Sequence, residues 1–547
     1  VAKTAEAIAV SGTVTGSGDG VPRIGGNVRV KGTSTGTVTD IDGNYSLNVP
    51  NADDVLVFSY TGFLDQEIPV GGQTILNVVL QEDIAQLDEV VVIGYGTQSR
   101  KLLTSSIASV DKKAIEDLQV TTLEGVLQGK ASGVSILTNS GQPGEPPVIR
   151  IRGGSSINRS NQPLFIIDGV QRSSEDFNPE DIESIEILKD AAATAIYGAR
   201  ASNGVVLVTT KSGTSGKARF NANYRSSWST LTSKMDLLNA EDYLRIERVG
   251  LTRSFLDENS AFGAGANATG GGNPFNSRIT TRLLQPGETA PAGYQTMTDP
   301  VTGGTLAFID TDWQDEVYST AQIDNLHFSV DGGTEKVTYY LGAAYLDQEG
   351  IARTTKYQRF SVQSNVGFQV NEKLKINTSL NFTRSKSNEP FSTNTIFGRA
   401  GRQAPTVRLN FDDGTLSPGV RENLPNPVFY TDNYLNNESI NKINLGTVVE
   451  YKILEGLTAT ATGNYFTDQT CRDAFIKSNA FNRSRSAISR LDEERKTQFE
   501  GTLRYFKEIG DNNVSVLVGA SRIESDFFIF NASASGGSTD AISTLMN

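Results

Sequence analysis

Few residues in this chain have the types and spacing that covalent chemistry requires. It carries one histidine, His327, and one cysteine, Cys471. A lone cysteine excludes an intrachain disulfide framework and any cysteine-built zinc site. A lone histidine removes most imidazole-based catalysis and metal binding. No nucleophile–base set, P-loop or metal cluster can be assembled from the remaining motifs. His327 alternates with Leu326 and Phe328 and reads as a polar-face residue of a strand, and Cys471 as incidental. Asp40-x-Asp42-Gly43-Asn44 has the look of a calcium loop. Such a loop needs glycine at its sixth position and a bidentate glutamate at its twelfth. Here the glycine comes too early, and Asp42-Gly43-Asn44 reads as a hairpin turn. The acidic pairs Asp53-Asp54 and Asp412-Asp413 sit in turn-rich sequence and read as solvated. The expectation is a non-enzyme with no catalytic residue, no cofactor and no metal.

What remains is non-covalent chemistry, concentrated in residues 87–97. Asp88 and Glu89 precede four β-branched residues, Val90, Val91, Val92 and Ile93, and Gly94-Tyr95-Gly96 follows. Such a run favours a strand but has no obvious partner in sequence. It is suited to pairing with the edge of another protein's sheet by strand addition. The plainer alternative is that it forms the first strand of the domain that follows.

Composition narrows the class. The net charge is -13 and the pI about 4.9, against the basic stripe of a nucleic-acid binder. Fifty-three glycines suit a turn-rich β protein. There is no run of about 18 apolar residues, as a transmembrane helix needs, and no charged-then-apolar signal peptide. A membrane barrel escapes that test because its strands alternate. The start at Val1 suits a processed, exported protein.

Three patterns follow one another along the chain. From Ile8 to Gln81, short apolar runs such as Val28–Val30, Tyr45–Leu47 and Val55–Phe58 alternate with turns, as in a small sandwich. From Thr97 to Gly213 the pattern becomes α/β. Ala114–Gly129 reads as a broken helix, Ser184–Leu188 as an alternating strand, Asp190 as an N-cap, and Val205–Val208 as a buried strand. From Lys217 onward, ten-residue segments alternate apolar and polar residues, as Phe220, Ala222 and Tyr224 do with Asn221, Asn223 and Arg225. Strands are expected near residues 217, 321, 336, 358, 373, 441, 457, 497 and 513. Links after the second, fourth, sixth and eighth are short. The others are longer, about 90, 11, 54 and 28 residues. A soluble sandwich shows the same residue alternation, and the links decide between the two: short on one side and long on the other is the outer-membrane barrel pattern. The long links include Gly263–Gly272 and Pro418–Asn437.

The ordered motifs resemble one family. Val30–Thr37 and Phe58–Phe63 resemble a carboxypeptidase-regulatory-like domain, and residues 88–96 resemble a TonB box. Leu127–Val134, Ile149–Gly153, Pro163–Val170, Ile182–Ala191 and Tyr197–Val205 look like a TonB-dependent plug. Asp312–Val317 followed by Tyr345–Ile351 resembles opening barrel strands. Together they resemble the N-terminal part of a SusC-family (SusC/RagA type) TonB-dependent outer-membrane transporter.

The resemblance implies a mainly β architecture with a β-sandwich over 1–81, a TonB box and linker over 82–96, and an α/β plug over 97–215. Part of a large antiparallel transmembrane β-barrel would follow over 216–547. In a plug, Arg150 and Arg152 would meet barrel-lining residues. The family implies about 22 barrel strands, so nine could not surround the plug. No secretin-like domain is expected before the sandwich. The implied function is energy-coupled import of oligosaccharides, or peptides, across the bacterial outer membrane. Asp88, Glu89, Val90, Val91, Val92, Ile93, Gly94, Tyr95 and Gly96 would bind TonB. The partners would be TonB, a SusD-like lipoprotein lid, a glycan or peptide, and outer-membrane lipid, with a dimer of transporter–lipoprotein pairs possible and no nucleic acid. Trp313 is expected to be an interface or strand-end aromatic. The alternative is a cell-surface β-rich adhesin or scaffold without transport.

Overall fold

Alternation within Asn44–Val49 puts Tyr45, Leu47 and Val49 on one face, and all three are buried. The computed structural model describes residues 8–17, 21–33, 35–60, 63–81, 90–93, 96–99, 107–111, 115, 120–138, 140–154, 160–174, 177–253, 279–388, 393–421, 424–479, 483–509 and 512–540. Two units emerge, Val1–Ser106 and Ile107–Asn547. In the first, a three-stranded sheet orders Asn44–Val49, Ile8–Gly16 and Val78–Leu80. A four-stranded sheet orders Gly36–Val38, Asn27–Val30, Val55–Ser59 and Gln66–Pro69. Val10, Val14, Val28, Leu56 and Phe58 form the shared core. The Asp40 carboxylate accepts from the amides of Asp42 (3.0 Å) and Asn44 (2.8 Å), and Gly43 takes a φ of 73°. That is a closed turn, as the early glycine indicates.

The second unit opens with a five-stranded sheet in the order Ile107–Asp111, Ile182–Leu188, Val205–Thr210, Leu164–Ile167 and Val170–Gln171. Only the pair of Leu164–Ile167 with Val205–Thr210 is parallel. Both are apolar runs, as strands covered on two faces should be. Ile185, Ile187, Val206 and Val208 pack with Leu123 and Val126. Of the broken helix expected over 114–129, Ile115 is helical and Leu123–Val126 forms a short helix N-capped by Thr122; residues 114 and 116–119 lie outside the described set. Asp190 takes the N-cap position of Ala191–Thr194, as expected, but its side chain makes no capping hydrogen bond. Its carboxylate pairs with Arg152 instead. That corrects the expectation for Arg152, which stays within the α/β unit; Arg150 is exposed.

Beyond residue 215 the chain forms one antiparallel nine-stranded sheet in sequence order. Its strands are Gly216–Ser229, Ala321–Gly333, Val337–Glu349, Lys356–Gln369, Leu374–Asn388, Tyr434–Leu454, Leu457–Ile476, Ser486–Ile509 and Asn512–Ser535. The expected starts hold to within two residues except at 441 and 497, where the ladder begins earlier. Apolar alternation marks only an apolar band, and polar pairs such as Glu438 with Arg472 carry the ladder beyond it. The sheet's two faces settle which kind of alternation this is. Phe220, Tyr224, Leu326, Phe328 and Phe360 are exposed, whereas His327, Ser361, Gln363, Asn381 and Asn444 are buried. Apolar outside and polar inside is a barrel wall.

The described residues of the links at one end of this wall, over 230–320 and 389–433, are themselves folded. They hold the helix Ala240–Arg253, a small sheet of Arg282–Leu283, Thr305–Phe308 and Gln295–Thr298, and the helices Trp313–Val317, Thr393–Ala400 and Pro427–Asn433. Trp313 is no strand-end aromatic. It is buried with Val317, Ile396, Ala400 and Val407, and its indole N–H donates to the Ala404 carbonyl at 3.0 Å. Asp312–Val317 is likewise a capped helix rather than an opening strand. Gly263–Gly272 lies outside the described residues.

Candidate functional site

Val90–Ile93 does form a strand, as its β-branched residues favour. The expectation that it lacks a partner is overturned. It pairs antiparallel with Gly96–Ser99, through Val90↔Ser99, Val91↔Gln98, Val92↔Thr97 and Ile93↔Gly96. Gly96 opens the second strand rather than ending the first. Two short runs two residues apart are a hairpin signal, hidden here because Thr97-Gln98-Ser99 is polar. Asp88, Glu89, Gly94 and Tyr95 lie outside the described residues. Among those that are described, the hairpin is a sheet of two strands, so each strand keeps one edge that can accept another.

Downstream, the α/β unit sits against the polar face of the wall, and the contacts concentrate on two adjacent carboxylates. Asn178 N-caps the turn Pro179–Asp181, which presents Glu180 and Asp181. Three wall strands converge on them. The first supplies Asn223, which donates to Glu180 at 3.1 Å. The second supplies Asn325, donating to Glu180 at 2.7 Å, and His327. Its ring lies between the two acids, Nδ1 3.4 Å from Glu180 and Nε2 3.1 Å from Asp181. The third supplies Tyr340, whose hydroxyl donates to Asp181 at 2.7 Å. Gly342, on the same strand, makes room: a Cβ there would fall 2.3 Å from Asp181 Oδ1. A cavity of about 610 Å³ adjoins the cluster, lined also by Lys211, Asn221 and Asp331.

Three further anchors complete this seat. Arg359, buried on the fourth wall strand, donates to the carbonyls of Thr121 (3.0 Å) and Phe177 (3.2 Å). Asn365, on the same strand, donates to Thr210 Oγ1 (2.7 Å) and the Lys211 carbonyl (2.6 Å). Thr210 in turn donates twice to Asp168, each at 2.9 Å. Asp168 and Gly169 both have positive φ, 50° and 81°, as a two-residue type I′ hairpin demands. Arg172 donates to Asn381 of the fifth wall strand at 3.3 Å. Burial pushes Asp168 above the usual carboxylate range against the pull of Arg172. Burial also lowers Arg172, to about 10, while Asp168 pulls it back up. Arg172 therefore remains charged at neutral pH.

A seat built from hydrogen bonds and ion pairs is reversible, because water can replace each partner when the unit moves. Each such bond contributes about 0.5–1.5 kcal/mol net, and more when charged. An apolar seat of similar size would be dry and hard to reopen. Sequence reading missed Glu180, Asp181, His327 and Tyr340 as a group. The signals were present: a polar histidine between apolar strand neighbours, and an acidic turn opening the Ile182–Ala191 motif. Among the described residues, no group of three or more His, Cys, Asp or Glu could hold a metal ion.

Two family models match. Residues 10–92 match the CarboxypepD_reg-like domain, and residues 99–205 the TonB-dependent receptor plug domain. TonB-dependent receptor P3 of Formosa agariphila is 33% identical over 526 residues, covering 94% of this chain and 47% of that protein. TonB-dependent receptor SusC of Bacteroides thetaiotaomicron is 35% identical over 434 residues, 77% of this chain and 38% of that protein. The RagAB peptide importer in its open-open state superposes with a TM-score of 0.68 at 23% identity, over 83% of this chain and 51% of that one, which is a likeness of fold. The chain thus spans about half the length or less of the curated relatives it matches. With both domain models in order, these relatives, and a plug seated on the polar face of a barrel wall, the chain belongs to the SusC family of TonB-dependent receptors, which are outer-membrane β-barrel proteins.

Proposed function

We propose that this chain serves TonB-dependent, energy-coupled import of oligosaccharides or peptides across the bacterial outer membrane. The observation that carries this reading is the polar, reopenable seat of the plug on the wall. A strand-forming segment precedes the plug in sequence. In this reading residues 1–81 are the regulatory-like sandwich, 82–96 the coupling segment and linker, 97–215 the plug and 216–547 part of the barrel. Residues 88–96 are gripped by TonB through strand addition to an edge of the Val90–Ile93 strand. A SusD-like lipoprotein covers the outer face, and the working assembly is a dimer of transporter–lipoprotein pairs.

The test is Val91→Pro. Proline removes a backbone donor and disrupts strand geometry. The variant should insert normally and bind substrate at the surface, yet take none up. Uptake at the wild-type rate, or loss of folding rather than of uptake, would count against the coupling role.

A further inference from the structure

The folded links leave a second cavity, about 670 Å³, that shares no lining residue with the plug seat. One side is apolar and open, with Met235, Leu237 and Leu238 51%, 45% and 50% exposed. They lie on a segment, 233–239, with no helix or strand. The other side holds Gln403, only 5% exposed. Neither its Oε1 nor its Nε2 has a hydrogen-bond partner among the described residues. Buried polar atoms are nearly always satisfied, so an amide with both ends free beside a cavity points to an absent partner.

The same cavity shows what that partner would look like. Gln314, which also lines it, grips one extended residue by its backbone: Oε1 accepts from the Met235 N–H and Nε2 donates to the Met235 carbonyl, both at 2.9 Å. Gln403 offers the same donor–acceptor pair, unused. A glycan would want an open aromatic platform. Here Trp313 is buried with its N–H bound to Ala404, and Tyr243 packs onto the cluster around Leu244.

We propose that this cavity binds an extended peptide, Gln403 pairing with one backbone amide while Leu237 and Leu238 seat an adjacent apolar side chain. The proposal rests on the import reading, with peptide as the cargo captured at the outer face.

The test uses the purified full-length receptor, a fluorescently labelled tryptic digest of casein, and malto-oligosaccharides as the competing class. Gln403→Leu keeps the volume and removes both amide atoms. It should weaken peptide binding about tenfold or more while leaving Tm unchanged or raised, because an unsatisfied group has gone. Leu237→Asp, on the exposed segment where folding is not at risk, should weaken it as well. Unchanged peptide affinity in both variants overturns the proposal. So does a wild-type receptor that binds malto-oligosaccharides alone, or none of the peptides. Binding to purified receptor needs no TonB. If Val91→Pro fails to block uptake, the import reading fails by itself and the Gln403 result is read separately.

Discussion

The plug seat gives a quantitative test through one clash. Asp181 is buried and accepts from Tyr340 at 2.7 Å and from Asn178 at 3.1 Å, with His327 Nε2 at 3.1 Å. Asp181→Ala strands these groups, at about 1–3 kcal/mol for each one left unsatisfied. Ser329 can still partner Tyr340, and water can enter from the adjoining cavity. A total of about 2–4 kcal/mol is therefore reasonable, roughly a 30- to 700-fold shift toward the unseated plug. Gly342→Ala attacks the same contact from the wall, since its Cβ would stand 2.3 Å from Asp181 Oδ1 and 2.9 Å from the Tyr340 hydroxyl. Its main clash vanishes once the carboxylate is gone. The double variant should thus unseat the plug little more than Asp181→Ala alone, giving a coupling energy close to the whole cost of Gly342→Ala. Conductance of the intact receptor in planar bilayers, with thermal unfolding in detergent as a control, reads this directly. Strictly additive effects, or conductance unchanged in both single variants, would refute the seat as described.

The remaining predictions concern the coupling segment, the folded links and the sandwich. Val91→Thr keeps β-branching and should retain the uptake that Val91→Pro abolishes. Arg248 and Asp299 form a fully buried pair at 2.6 Å and 2.7 Å, so Arg248→Leu should cost the link layer about 3–5 kcal/mol, read as faster limited proteolysis within 230–320. Burial pushes the Asp299 carboxyl up, but Arg248 and Thr302 outweigh it and hold it below the usual range. A depressed acid stabilises fully above its unfolded value, near 3.9, and loses that contribution as pH falls through the lower folded value. Protection should hold down to about pH 4 and decay below it. In the sandwich, burial pushes Tyr45 up to about 12, and its hydroxyl donates to the Leu76 carbonyl at 2.9 Å. A raised group stabilises fully below its unfolded value, near 10, and loses that between 10 and 12. Tyr45→Phe should abolish this alkaline loss in near-UV circular dichroism, at a cost of about 1 kcal/mol at neutral pH.

Sequence exposed those parts of the molecule whose physics is periodic. Wall strands announce themselves because every second residue faces an apolar surround, as Phe220, Ala222 and Tyr224 do. The sandwich shows through Tyr45, Leu47 and Val49 by the same rule. The seat was missed because its local signals do not say what they meet: His327 meets Asp181 across 146 positions and Tyr340 meets it across 159. The layer over 230–320 and 389–433 was read as loops for a related reason. Its elements are short, and their core, Trp313 with Ile396 and Val407, comes from two separate links. Arg152 misled because it alternates with Arg150 as a wall-facing residue would, whereas it pairs with Asp190, whose N-cap position was legible but whose carboxylate partner was not.

The register of the plug sheet bears on how tension could reach the seat. Residues 90–99 lead in sequence to Ile107–Asp111, which pairs antiparallel with Ile182–Leu188, Ile107 opposite Leu188 and Asp111 opposite Ser184. The partner strand starts at Ile182, immediately after Asp181, so it is held at the end nearest Asp111. Tension entering at Ile107 along the strand axis pulls away from that held end. The ladder is then loaded in shear, all its backbone bonds sharing the force, rather than peeled open one at a time. Against it stand side-chain contacts scattered over the seat, on Glu180 and Asp181 and at Arg359, Asn365 and Arg172, each replaceable by water. Under such a load the seat should give way before the sheet does. A plug built this way can leave the wall as a folded body and return to it, as the import proposed for this chain would require.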